Sequence, residues 1–141
     1  MWRMLSLALS MLLLAGCATQ PAFQNAEARQ FYSVPGKSVI YIVREKPDLH
    51  PHPTVVTLDN GTEGLTYPGT FLRWEVAPGA HRIAGFGGDA GAIQLDTEPG
   101  KIYFIRQIVM PVQNLMQSQF NALSEQDGRA AVARSPYIAS L

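Results

Sequence analysis

The sequence predicts a mainly β domain, an antiparallel β-sandwich of about seven or eight strands followed by a short C-terminal helix. Three observations carry this. Pro-Gly pairs at Pro35-Gly36, Pro68-Gly69, Pro78-Gly79 and Pro99-Gly100 each stand just ahead of a run of β-branched and aromatic residues. Proline sets φ for the first turn position and glycine accepts positive φ at the second, so each pair reads as a turn feeding a strand. The runs are short and the pairs irregularly spaced, which fits separate strands and not a repeat.

Taken in order, residues 38–44 and 101–110 are apolar on both alternating faces, as central strands covered on two sides would be. Residues 54–58 lead into Asp59-Asn60-Gly61, where Asn-Gly suits the left-handed positions of a hairpin turn, and residues 63–67 return. Along 71–76, Leu72, Trp74 and Val76 fall on one face and point inward, while Arg73 and Glu75 face water or a sheet edge. Residues 81–86 follow, and a glycine-rich connection leads into 92–96 with Ile93 and Leu95 inward. After Met110 the pattern is ambiguous: Val112, Leu115, Met116, Phe120 and Leu123 suit a helix face, whereas 119–123 suit a strand equally well. A strand near 118–123 is slightly favoured. Ser124 and Asp127 form a variant capping box, so a helix is expected over 125–134, stopped by Pro136.

The N-terminal region has a different composition. Arg3 and the amino terminus precede an apolar stretch at 5–15, shorter than the ~20 residues a membrane-spanning helix needs. Leu14-Ala15-Gly16-Cys17 resembles the lipobox of bacterial lipoproteins. That resemblance implies a signal peptide over 1–16 and a mature chain beginning at Cys17, which carries a thioether-linked diacylglycerol and an N-acyl chain. Such lipids hold a protein on a bilayer without spanning it. Ala18 is not the aspartate that retains such proteins at the inner membrane, so the resemblance implies the outer membrane, facing the periplasm. Residues 17–37 read as a lipidated N-terminus and flexible tether, with one or two helical turns within 26–31. The β-sandwich occupies 38–123, and 124–141 form the C-terminal helix and tail.

Composition removes several functions. Cys17 is the sole cysteine, and lipidation consumes its thiol, which excludes disulfides, thiolate metal sites and a cysteine nucleophile. Eleven basic and eleven acidic side chains, scattered without runs, leave no electrostatic footprint for nucleic acid or for anionic lipid headgroups.

Val39-Ile40-Tyr41-Ile42-Val43-Arg44, Gly69-Thr70-Phe71, Val76-Ala77-Pro78-Gly79-Ala80-His81 and Pro99-Gly100-Lys101-Ile102-Tyr103-Phe104 mark a further likeness. With them, the run from 38 to 110 resembles an uncharacterised family of bacterial lipoproteins with a small β-sandwich domain of transthyretin-like or carbohydrate-associated type. The resemblance implies a fold and brings no catalytic residues with it.

Three groups have the chemistry for a site. Asp48, His50 and His52 cluster among prolines, and imidazoles two apart in an extended loop can share a Zn²⁺ or Cu²⁺, provided His81 or Glu45 completes the set. An exposed, proline-stiffened loop is the plainer expectation, so no metal is assigned. Residues 85–91 are rich in glycine, yet the expected continuation is a strand and no Lys-Ser or Lys-Thr follows, so a flexible connection is expected instead of a phosphate loop. Trp74, Tyr67 and Tyr103 are the weak candidates for an aromatic sugar-binding platform, against ordinary core packing. The sequence is therefore read as a non-enzymatic binding or structural module of the envelope. It needs no cofactor beyond the lipid on Cys17, and its expected partners are the bilayer, through that lipid, and an envelope protein or glycan. The alternative is a small metal-dependent or hydrolytic envelope enzyme.

Overall fold

A computed structural model describes residues 26–136. Among them are eight strands in two four-stranded sheets, with one C-terminal helix. The strands are β1 (Ser38–Arg44), β2 (Thr54–Leu58), β3 (Thr62–Thr66), β4 (Thr70–Val76), β5 (Gly79–Ala84), β6 (Ala92–Thr97), β7 (Ile102–Val112) and β8 (Leu115–Leu123). The helix, α1, spans Glu125–Ala133. The first sheet has the order β4-β1-β7-β8 and the second β3-β2-β5-β6. Every pairing is antiparallel except β1 with β7, which run parallel at the centre of the first sheet.

The two-faced apolar pattern of β1 has a direct cause. Ile40 and Ile42 point between the sheets and pack with Val56, Leu58, Leu72, Trp74, Val76, Ile83, Ile105 and Phe120. Val39, Tyr41 and Val43 point the other way, into an outer cluster with Phe71, Phe104, Ala131, Val132 and Ala28. The first sheet thus lies between the second sheet and a cover made by α1 and the N-terminal segment. Gly128 lets the helix lie close, since a Cβ there would meet Phe104 Cγ at 2.1 Å. The Ser124 hydroxyl caps α1 by accepting from the Asp127 N–H at 3.1 Å.

Three expectations need correction. The helical turn expected within 26–31 is present at 26–28, but residues 26–37 are not a free tether, because Phe31 and Val34 pack on the outer cluster and Arg29 donates to the carbonyls of Val132 and Ser135. The glycine-rich connection is not loose either. Residues 88–91 form a 3₁₀ turn, the Ser118 N–H donates to Phe86 O at 2.9 Å, and Gln117 Nε2 donates to Ala90 O at 3.2 Å, which fastens the connection to β8. In the β2–β3 hairpin the left-handed pair is Asp59-Asn60, with φ of 53° and 59°, and not Asn60-Gly61. Asp59 is pinned there because its carboxylate accepts from His81 and from the Arg82 N–H.

Candidate functional site

Four connections converge at one end of the sandwich: the β1–β2 loop (45–53), the β3–β4 turn (67–69), the β5–β6 loop (85–91) and the tip of the β7–β8 hairpin. Beneath them sits Arg44, the last residue of β1 and fully buried. A buried guanidinium needs a carboxylate and further acceptors, and Arg44 has both. Its Nε donates to Asp48 Oδ2 at 2.9 Å and its Nη2 to Asp48 Oδ1 at 3.2 Å, a two-pronged pair. Nη1 shares its two N–H among the His52 carbonyl (3.0 Å), Thr54 Oγ1 (3.1 Å) and the Thr66 carbonyl (3.2 Å), and Nη2 also reaches the His50 carbonyl.

Asp48 is as enclosed as its partner, its side chain 2% exposed. It also accepts from the N–H of His50 (2.9 Å) and of Val109 (3.2 Å). Val109 lies beyond the end of β1, so the carboxylate replaces a missing strand neighbour for β7. Burial opposes ionisation of Asp48, but the Arg44 hydrogen bonds and the two backbone donors outweigh it and hold the carboxyl below its ordinary range.

A polar chain runs inward from this pair. Thr66 Oγ1 lies 3.2 Å from the Thr54 carbonyl and 2.7 Å from the Gln107 side-chain amide, which lies 3.3 Å from Ser118 Oγ. Ser118 Oγ in turn accepts from the Phe86 N–H at 3.1 Å. Thr66 has one hydroxyl proton for two neighbours, and the Gln107 orientation that presents its NH₂ to Thr66 serves both. These bonds tie both sheets and the β5–β6 loop together under the loop end.

Above the platform lies an open cleft of about 650 Å³, lined by Lys46, Pro47, Asp48, Pro51, Tyr67 and Pro68. Tyr67 is 41% exposed, and Leu49, Phe86, Val112 and Leu115 also stand exposed on the surrounding loops.

The sequence-predicted residues scatter. Tyr67 lines the cleft, but Trp74 is buried between the sheets, so it cannot present its face to a ligand. Tyr103 is half-buried at the far end, its hydroxyl accepting from the Glu98 N–H at 2.9 Å, so it forms no platform with Tyr67. His50 and His52 do meet, their rings 5.4 Å apart and edge-on, and His50 touches Phe86. Neither proposed further ligand joins them. Glu45 is held by Arg106 and Arg134, and His81 lies across the length of β2, about 17 Å by strand rise. No group of three or more His, Cys, Asp or Glu side chains is poised for a metal among the described residues. Cys17 lies outside the described residues.

At the opposite end His81 bridges two turns, with Nδ1 2.6 Å from Asp59 Oδ2 and Nε2 2.6 Å from the Ala77 carbonyl. Both neighbours can only accept, so the doubly protonated ring fits them best. Burial acts to lower the His81 pKa, but the Asp59 hydrogen bond, the Ala77 carbonyl and the Asp59 charge prevail and raise it. The same pair lowers Asp59 against its own burial.

Sequence reasoning missed Arg44, Gln107, Thr66 and Ser118. A usable signal existed: Arg44 ends a strand read as covered on both faces, which demands a buried counter-ion, and Asp48 stands four residues on.

These features define a two-sheet sandwich with an outer helix and an internally braced loop end. No family model and no solved structure matches the chain. A Haemophilus influenzae protein described as "Uncharacterized protein" is 30% identical over 135 residues, a match spanning 87% of this chain and 76% of the relative. The chain belongs to the same family as that protein.

Proposed function

We propose that the protein is a lipid-anchored module of the bacterial cell envelope that binds another envelope component through its loop end and catalyses no reaction on it. The observation that carries this reading is the cleft of about 650 Å³ beside Tyr67, set on the Arg44–Asp48 platform. Binding sites are typically concave, mostly apolar and built on rigid supports, and the hydrogen bonds of Arg44 supply the support. Two carboxylates at this end, Asp48 and Glu45, favour binding over acid-catalysed hydrolysis. Asp48 and Glu45 are both held below their ordinary pKa by arginine partners that outweigh burial, so neither stays protonated to act as an acid, and every oxygen is engaged.

The anchor is the lipid on Cys17, and the location is the periplasmic face of the outer membrane, as the lipobox and Ala18 imply. In this reading the chain is one of the small sandwich lipoproteins it resembles, and the lipid is its sole prosthetic group.

Two experiments test it. Cys17→Ser removes the thiol that forms the thioether, so the chain should leave the membrane fraction and lose fatty-acid label; a serine variant that still takes the label contradicts the anchor. A photo-crosslinking residue at Tyr67 should give a discrete adduct in intact envelopes, and one at Lys101 should give none. Equal labelling from both positions, or from neither, contradicts binding at the loop end.

A further inference from the structure

The two ends of the sandwich differ in what they expose. Of the seven large hydrophobic residues exposed among the described residues, five stand at the loop end: Leu49, Tyr67, Phe86, Val112 and Leu115. Leu49 and Leu115 are 72% and 75% exposed. The five stand on four separate connections. The distal part of the β7–β8 hairpin is uncharged, since no ionisable side chain occurs from 107 to 124, and its tip carries Pro111, Val112 and Leu115 around Gln113-Asn114. The acidic groups at this end each have an arginine partner, Glu45 with Arg106 and Arg134, the enclosed Asp48 with Arg44, and the fully exposed Asp89 with Arg82. The opposite end exposes Lys37 and the ion-paired Asp59, Glu98 and Lys101, and the two other exposed large hydrophobics are Tyr32, next to Phe31, and Val55 within β2.

The chain also enters the fold toward the loop end. Lys37 sits at the opposite end, its carbonyl accepting from the Gly100 N–H. Phe31 packs halfway up, on Tyr41 and Phe104, and the Arg29 guanidinium lies over the Phe71 ring at 5.3 Å and reaches the Ser135 carbonyl. Nine peptide steps separate Cys17 from Ala26, a covalent reach of at most about 32 Å, no more than the roughly 34 Å length of β7.

We infer that the component met by the loop end is the bilayer leaflet that holds the Cys17 lipid, with Leu49, Phe86, Val112 and Leu115 entering its headgroup layer. This rests on the lipid-anchor reading above. Apolar side chains on separate connections suit a leaflet, which closes around each one, whereas a protein partner would need a matching packed surface. Tyr67 and Lys46 suit the headgroup level, where an amphipathic ring and a long-stemmed ammonium each keep a polar tip in water. The anchor keeps the leaflet at a high effective concentration, so weak insertion is enough to orient the domain.

The test uses the full-length lipidated protein in vesicles of phosphatidylethanolamine and phosphatidylglycerol. With the Cys17 thiol consumed, a cysteine introduced by Leu115→Cys, or at the opposite end by Lys101→Cys, takes a single polarity-sensitive fluorophore. The proposal expects the label at 115 to shift to the blue and be quenched by nitroxide lipids several-fold more than the label at 101, which aqueous iodide quenches instead. Equal iodide quenching at both positions, with Cys17 lipidated by mass spectrometry, overturns the leaflet contact alone. Protection at 115 that appears only on adding envelope proteins overturns it in favour of a protein partner. An unmodified Cys17 in protein from the native envelope overturns the anchor and this inference together.

Discussion

Each end of the sandwich is fastened by an ion pair, and the two pairs obey different physics. Arg44–Asp48 is sealed, its side chains 0% and 2% exposed, with the guanidinium and carboxylate joined twice. His81–Asp59 is half open, with Asp59 47% exposed. Water screens the second pair and cannot replace the partners of the first. The lesson is that the loop end is braced from within, so its connections can expose apolar side chains without collapsing, while the other end is held by ordinary turns and a pair that responds to pH.

Removing one carboxylate at each end is the sharpest way to break that contrast. Asp48→Ala strands a buried guanidinium and is expected to cost about 3 to 5 kcal/mol. Asp59→Ala should cost about 1 kcal/mol or less, as partly exposed pairs do. Denaturant midpoints measure both, and equal losses would end the distinction.

A smaller effect is expected with pH. His81 titrates above its ordinary value of 6.5, so its contribution is complete below that value and is lost as the pH rises through the raised one. Asp59 and Asp48 titrate below their ordinary value of 3.8, so theirs is lost only as the solution becomes strongly acidic. As the pH rises above 6.5 the wild type should therefore lose a little stability. His81→Gln should flatten that slope, and an unchanged slope in the variant would show that another group titrates.

The smallest effect is expected from His50→Ala with His52→Ala. Arg44 uses the carbonyls of these residues and not their rings, so the double variant should stay within about 0.5 kcal/mol of the wild type. Thermal melts with and without Zn²⁺ extend the check. A metal-dependent rise in the wild type that the variant loses would give the imidazole pair a role that its ring contacts with each other and with Phe86 do not.

Much of the fold could be read because burial leaves a periodic trace. β1 and β2 begin and end where apolar patterning places them, and Leu72, Trp74 and Val76 face inward as alternation requires. The strands read over 101–110 and 118–123 lie in β7 and β8, but the turn joining them was hidden because it is Gln113-Asn114, both left-handed at φ 49° and 67°, and glutamine gives no turn signal. The packing of residues 26–34 was hidden because Ala28, Phe31 and Val34 are too few to make a stripe, and they are held by Arg29 and Tyr41 across the chain. At the site, Tyr67 and the His50–His52 loop drew notice by residue type, but Asp48 proved to be a counter-ion and not a ligand. Its partner Arg44 is defined by tertiary contacts with residues as distant as Thr66, which no local pattern encodes.

Native-state hydrogen exchange reads the bracing of the loop end most directly. The His50 and Val109 amides are bonded to Asp48, and the Arg82 amide to Asp59. After correction for intrinsic rates, the first two should exchange only through global unfolding, while Arg82 exchanges through local opening that quickens as His81 loses its proton. Exchange of His50 at the rate of an unprotected loop amide, with Arg82 the slower of the two, would contradict a loop end clamped by Arg44 and Asp48.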